Sequence, residues 1–146
     1  NLDFKKPNIQ HLEDRFHTIV FDSPASIKNL DIQFWLKSIE RSPIQVAIFT
    51  TQKKAEIIDE LEEHLPIQKL CLIHKKLTLY EQAGLLQSST YTLCHSLANI
   101  NLLSGLNRPG AFIYHKRKAP PYLPIYNSCK TISLNTIDTS ILKNPM

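Results

Sequence analysis

The feature that most constrains this chain is a rhythm. Short apolar, β-branched segments alternate with amphipathic stretches of helical period. His17-Thr18-Ile19-Val20-Phe21-Asp22 is the first segment, and Ile32, Trp35, Leu36 and Ile39 follow at i, i+3, i+4 and i+7, one apolar helix face. Gln45–Phe49, Lys69–His74, Tyr91–His95 and Ala111–Tyr114 repeat the strand pattern. Between them run the stripes Ile58, Leu61, Leu65; Leu79, Ala83, Leu86; and Ile100, Leu103, Leu106. Strands that are apolar on both faces need cover on both faces, and helix-length connections let consecutive strands run the same way. The expected fold is α/β: a Rossmann-like three-layer domain with a mostly parallel five- or six-stranded sheet and right-handed crossovers. Thr131-Ile132-Ser133 is the candidate sixth strand, and an α+β arrangement with some antiparallel pairs is the alternative. Residues 1–16 read as a lead-in or linker with one short turn, and 17–146 as a single domain.

Punctuation residues agree with that division. Ser42-Pro43 and Pro66 end helices, because a prolyl ring forces the preceding residue out of the helical region. Thr50 or Thr51 is positioned to cap the second helix and Ser96 the fourth. Thr78-Leu79-Tyr80-Glu81 is a capping box, in which the hydroxyl and the carboxylate each satisfy a free amide of the first turn. A last short helix is expected from near Thr136, after a Pro-rich loop over residues 119–124.

Composition excludes several classes. With 146 residues, 42% hydrophobic and 21% charged, the chain can bury one sizeable core and is not disordered throughout. Gly84, Gly105 and Gly110 form no G-x-G or G-K-[ST] pattern, so any phosphate must be held by helix N-termini and side chains. A net charge of +4 without a long basic run does not point to nucleic acid. Cys71, Cys94 and Cys129 are odd in number and form no C-x-x-C pair, which fits free thiols in a reducing compartment. No apolar run approaches the roughly 20 residues that cross a bilayer, so no transmembrane segment is expected. The polar start is not read as a secretory signal, and the absent initiator Met reads as a processed chain or a fragment.

A parallel α/β sheet binds ligands beyond the carboxyl ends of its strands, where the strand order reverses. Here those ends are Asp22-Ser23, Thr50-Thr51, His74-Lys75-Lys76, His95-Ser96 and Tyr114 followed by His115-Lys116-Arg117-Lys118. Three histidines and a basic cluster are therefore expected to converge on one rim with several helix N-termini, a setting for a phosphate or diphosphate. Loops made polar for solubility give the same pattern without a ligand. No tight spacing supports a metal ligand set. A nucleophilic pair of Cys94 or Cys129 with His95 or His115 lacks any activating motif. A receiver domain with Asp22 as phospho-acceptor lacks the expected acidic cluster.

The order of elements between His17 and Ser133 resembles the C-terminal, nucleotide-sugar-binding half of GT-B glycosyltransferases, most closely the lipopolysaccharide heptosyltransferase group (glycosyltransferase family 9). The residues carrying the likeness are Phe21-Asp22-Ser23-Pro24-Ala25-Ser26-Ile27-Lys28, a loop and Lys after the first strand; Ile48–Glu56, a turn and a helix bearing Glu; Thr78-Leu79-Tyr80-Glu81; and Thr92 to Asn101 followed by Arg108-Pro109. Where the family carries Asp-Ser-Gly and then His, this chain carries Ser96-Leu97-Ala98 and Asn101. The resemblance implies a donor site from Ser23, Lys28, Thr51, Glu56, His95, Ser96 and Asn101. In it Lys28 neutralises phosphate, Glu56 accepts from ribose hydroxyls, and Ser96 and Asn101 face the diphosphate. It also implies a nucleotide-diphosphate sugar as partner, no cofactor, no metal, and a second, N-terminal acceptor domain. The catalytic residue is not assigned. The implied setting is surface polysaccharide or lipopolysaccharide synthesis, cytoplasmic and peripheral to the inner membrane. The altered motif also implies an alternative, a catalytically degenerate domain of the same fold used for binding or assembly.

Overall fold

A computed structural model describes residues 4–21, 31–51, 56–114, 128–133 and 136–143. Six strands, β1 (Phe16–Phe21), β2 (Gln45–Thr50), β3 (Leu70–Leu72), β4 (Thr92–Cys94), β5 (Gly110–Tyr114) and β6 (Cys129–Ser133), form one sheet in the order β3-β2-β1-β4-β5-β6. Every neighbouring pair is parallel, so the expected α/β architecture holds and the sheet is wholly rather than mostly parallel. Among the described residues, four helices lie on its faces: α1 (Ile32–Arg41), α2 (Glu56–His64), α3 (Leu79–Ser88) and α4 (Leu97–Gly105).

Alternation along the strands builds two cores. Ile19, Phe21, Val46, Ile48, Leu93 and Ile113 point to one face and meet Trp35 and Ile39 of α1 and Ile58 and Leu61 of α2. Phe16, Val20, Ala47, Phe49, Cys94 and Phe112 point to the other and meet Leu85 and Leu86 of α3 and Ile100 and Leu103 of α4. A two-residue period cannot put successive side chains on one face, so a doubly apolar strand supplies both cores.

Helix ends follow the local chemistry. Asp31 caps α1 by accepting from the Phe34 amide at 2.9 Å, and Ser42, held extended ahead of Pro43, ends it. Both bonds of the Thr78–Glu81 capping box form. Of the two candidate caps for α2, Thr50 ends β2 and Thr51 follows it, with residues 52–55 outside the described residues. One local expectation fails. The helix expected from Thr136 is instead a set of turns, with Ile137 donating to Ser133 and Ile141 to Asp138. The Asp138 carboxylate accepts from the Ser140 amide, and such side-chain bonds compete with helix formation.

Residues 4–15 are docked on the sheet. Gln45, buried at the start of β2, accepts from the Glu13 amide and donates to the carbonyls of His11 and Ile67. Gly84 of α3 lies so close to the Lys5 carbonyl that a Cβ there would collide with it.

Candidate functional site at the strand-order reversal

The strand order reverses between β1 and β4, and there the first strand's end faces the start of α4. Residues 91, 93 and 95 share a face by strand period, so His95 continues the row of Tyr91 and Leu93 just past the end of β4. Its ring lies nearly flat against Phe21, 5.9 Å between centroids at 13°. Trp35 of α1 stands edge-on to both rings, 6.2 Å from His95 and 5.1 Å from Phe21. Both ring nitrogens of His95 are shielded from solvent. The reversal crevice is thus floored by an aromatic stack.

Ser96 caps α4, its hydroxyl accepting from the Asn99 amide at 3.2 Å and from Asn99 Nδ2 at 3.1 Å. The helix behind it is nine residues long, and its first amides point to the rim, where the backbone dipole favours negative charge. On the other side of β1, the exposed Thr51 follows β2 and donates its backbone N–H to the Phe21 carbonyl at 3.3 Å. Thr51, Phe21, His95 and Ser96 therefore stand together around one crevice.

The other expected site residues are placed as follows. Ser23 and Lys28 lie outside the described residues, as do Asp22 and His115 with its basic cluster. Glu56 opens α2, with its side chain outside the description. Asn101 is not brought to the crevice. Five residues along a helix turn it roughly 140° from Ser96, and it lines an open cleft of about 760 Å³ with Phe4, Gln87, Gly105, Leu106 and Arg108.

The histidines do not converge as expected. His74 shares the rim but follows β3, and β3 is the sheet's edge. Strand spacing puts β3 roughly 14 Å from β4. There His74 pairs with Glu62 of α2 at 2.9 Å, beside a cleft of about 500 Å³ lined by Ile9, His11, Leu65 and Cys71. Tyr114 stacks on Phe112 at 6.4 Å, on the sheet face opposite His95. Parallel pairing made the rim common; strand order spread these residues along it. Cys94 points into the core away from His95 and donates to the Ala111 carbonyl at 3.6 Å. Burial pushes the Cys129 thiol above its ordinary range. Among the described residues, no three His, Cys, Asp or Glu side chains are grouped as metal ligands are.

Reading the residues singly missed the aromatic floor. Its signal was present, since Phe21 and His95 each end an apolar alternation and Trp35 lies on the inner stripe of the intervening helix. It also missed His17, buried at the opposite end of the sheet. Burial depresses its pKa to about 4, with Arg15 lowering it further and a hydrogen bond with the Leu142 backbone opposing the shift.

Neither a protein-family model nor a curated protein sequence matches the chain. Solved structures do match. The structure of E. coli heptosyltransferase WaaC with ADP superposes with a TM-score of 0.62 at 15% identity, over 88% of this chain and 42% of that one. The same enzyme with ADP-2-deoxy-2-fluoro heptose gives 0.64 at 15%, over 88% and 41%. A glycotransferase of kitacinnamycin gives 0.54 at 13%, over 97% and 35%. At these identities the likeness is one of fold. The chain spans less than half the length of each of these proteins.

Proposed function

We propose that this domain is the nucleotide-sugar-binding half of a glycosyltransferase. The observation that carries the reading is the crevice at the strand-order reversal, where the amides of α4 and the His95–Phe21 stack meet, within a fold shared with a heptosyltransferase lobe solved with ADP. A diphosphate is favoured at the first turn of α4, beside the half-buried His95, whose ring is held in place by the buried Phe21 and Trp35. As donor cleaves, charge grows on the departing diphosphate, and fixed amide dipoles stabilise it without reorganising. Ser23, Lys28, Thr51 and Glu56 complete the proposed donor site, Lys28 against phosphate and Glu56 against ribose hydroxyls. Transfer itself requires a second, acceptor-binding lobe. The proposed setting is lipopolysaccharide or other surface polysaccharide synthesis on the cytoplasmic side, at the periphery of the inner membrane.

Titration calorimetry with ADP, UDP and an ADP-sugar tests this. Saturable heat with at least one nucleotide is expected, with loss of affinity in His95→Ala. No heat and no thermal shift with any of them overturns the reading.

One observation favours a second reading, a degenerate domain that binds a partner without turnover. The Ser96 hydroxyl already accepts two bonds from Asn99, and the helix start reads Ser96-Leu97-Ala98 where the family pattern has Asp-Ser-Gly. Failure of every nucleotide, together with co-purification of a partner chain, is its expected signature.

A further inference from the structure

The first turn of α3 presents Leu79 and Tyr80 side by side at 76% and 78% exposure, the two most exposed large apolar side chains among the described residues. Single exposed apolar residues are ordinary, but an adjacent pair held rigidly is not. The capping box fixes this turn, Leu77 is buried beneath it, and the Phe4 ring stands 6.0 Å from Tyr80. The surrounding charge is uneven. Glu81, the acidic residue of the turn, is paired with Lys75 at 2.7 Å, which also lowers its pKa. Among the described residues Lys76, three positions before Leu79, and Lys5, next to the Phe4 that meets Tyr80, are exposed and without an ion-pair partner. The turn therefore offers two apolar side chains inside a net positive rim, with the positive end of a helix dipole behind them.

We infer that Leu79 and Tyr80, together with Lys5 and Lys76, dock the domain on an anionic lipid surface. Apolar insertion at the headgroup boundary and attraction of lysines to acidic lipid are each weak and together sufficient for reversible binding. No described helix is long and apolar enough to cross a membrane, so contact at this turn is peripheral. Because α3 follows β3, its first turn stands on the same rim as the reversal crevice, which faces the crevice toward the membrane-proximal side. The inference rests on the peripheral part of the proposed function and not on its donor chemistry.

Co-sedimentation with phosphatidylcholine vesicles, with and without phosphatidylglycerol, tests it, and nucleotide titration of the same samples keeps the two readings separate. Binding to the acidic vesicles is expected, weakened by salt. Leu79→Ser with Tyr80→Ser should cut partitioning roughly tenfold or more, and Lys76→Glu about fivefold per unit of charge. Thermal melting and nucleotide affinity should not change in either variant, since these side chains are exposed. Absence of wild-type binding to acidic vesicles overturns the inference. So do binding that both variants retain, and a dimer in solution that the double variant dissociates while vesicles stay unbound.

Discussion

The two ends of the sheet are built on opposite terms. At the amino end of the strands, polar groups are buried, and several are tied into one network, while His17 Nδ1 and Thr92 Oγ1 are buried without a partner among the described residues. The Thr18 hydroxyl donates to Ser89 at 2.9 Å, Ser89 bonds the carbonyl of Tyr91 at 3.0 Å, Arg108 donates to the Ser89 carbonyl at 2.7 Å, and Gln45 joins three stretches of backbone. At the carboxyl end, Thr51 is exposed and Ser96 half-buried beside the strand-order reversal. One end is closed by buried side chains and a hydrogen-bond network; the other turns the first amides of α4 toward the rim, above a ring stack whose Phe21 and Trp35 are buried. A parallel sheet imposes this division, because every helix starts at the same rim and returns its chain to the other. Stability is therefore expected to concentrate at the amino end and ligand binding at the carboxyl end.

The largest test is at the closed end. Phe16→Ala removes a fully buried side chain there. It should cost about 3–5 kcal/mol in urea unfolding while nucleotide affinity of the remaining folded protein is unchanged. A parallel loss of affinity would break the comparison.

Acid should also act at that end. The His17 pKa is lowered from 6.5 to about 4 in the fold, mainly by burial. The unfolded chain takes up a proton near its ordinary value and the folded chain only near pH 4. Stability is thus present above the unfolded value and falls with pH across that window, by on the order of 3 kcal/mol. Urea midpoints followed from neutral pH downward should show the decline, and His17→Gln should flatten it between those two values. An unchanged slope in the variant would assign the acid sensitivity elsewhere.

The smallest effects belong to the open rim. Ser96→Ala should cost about 1 kcal/mol of stability through the lost cap, and Thr51→Ala less than about 0.5 kcal/mol. Both changes should register more in nucleotide titration than in melting. Equal silence of both substitutions in titration would move the ligand away from this crevice.

Much of this was legible along the chain. All six strands were placed to within a few residues, because β-branched runs bounded by Pro, Ser and Asn leave few alternatives. The capping box and the Ser96 cap depend only on residues within one turn, and both form as expected. The expected gathering of His74 with His95 did not form, because strand order is not a local property. Asn101 went elsewhere because helix rotation, not sequence distance, sets which side it lines. The helix from Thr136 was misread because the Asp138 side chain claims the Ser140 amide.

By itself the sequence determined the elements, their two-faced burial and the parallel direction that gives one common rim, since periodicity and connection length act over a few residues. The tertiary structure alone decided that β1 and β4 are neighbours, and hence that Phe21, Trp35 and His95 stack while His74 stays at the far edge. That choice depends on which apolar faces pack best across the whole sheet, an energy shared among residues far apart in the chain and readable from no short stretch of it.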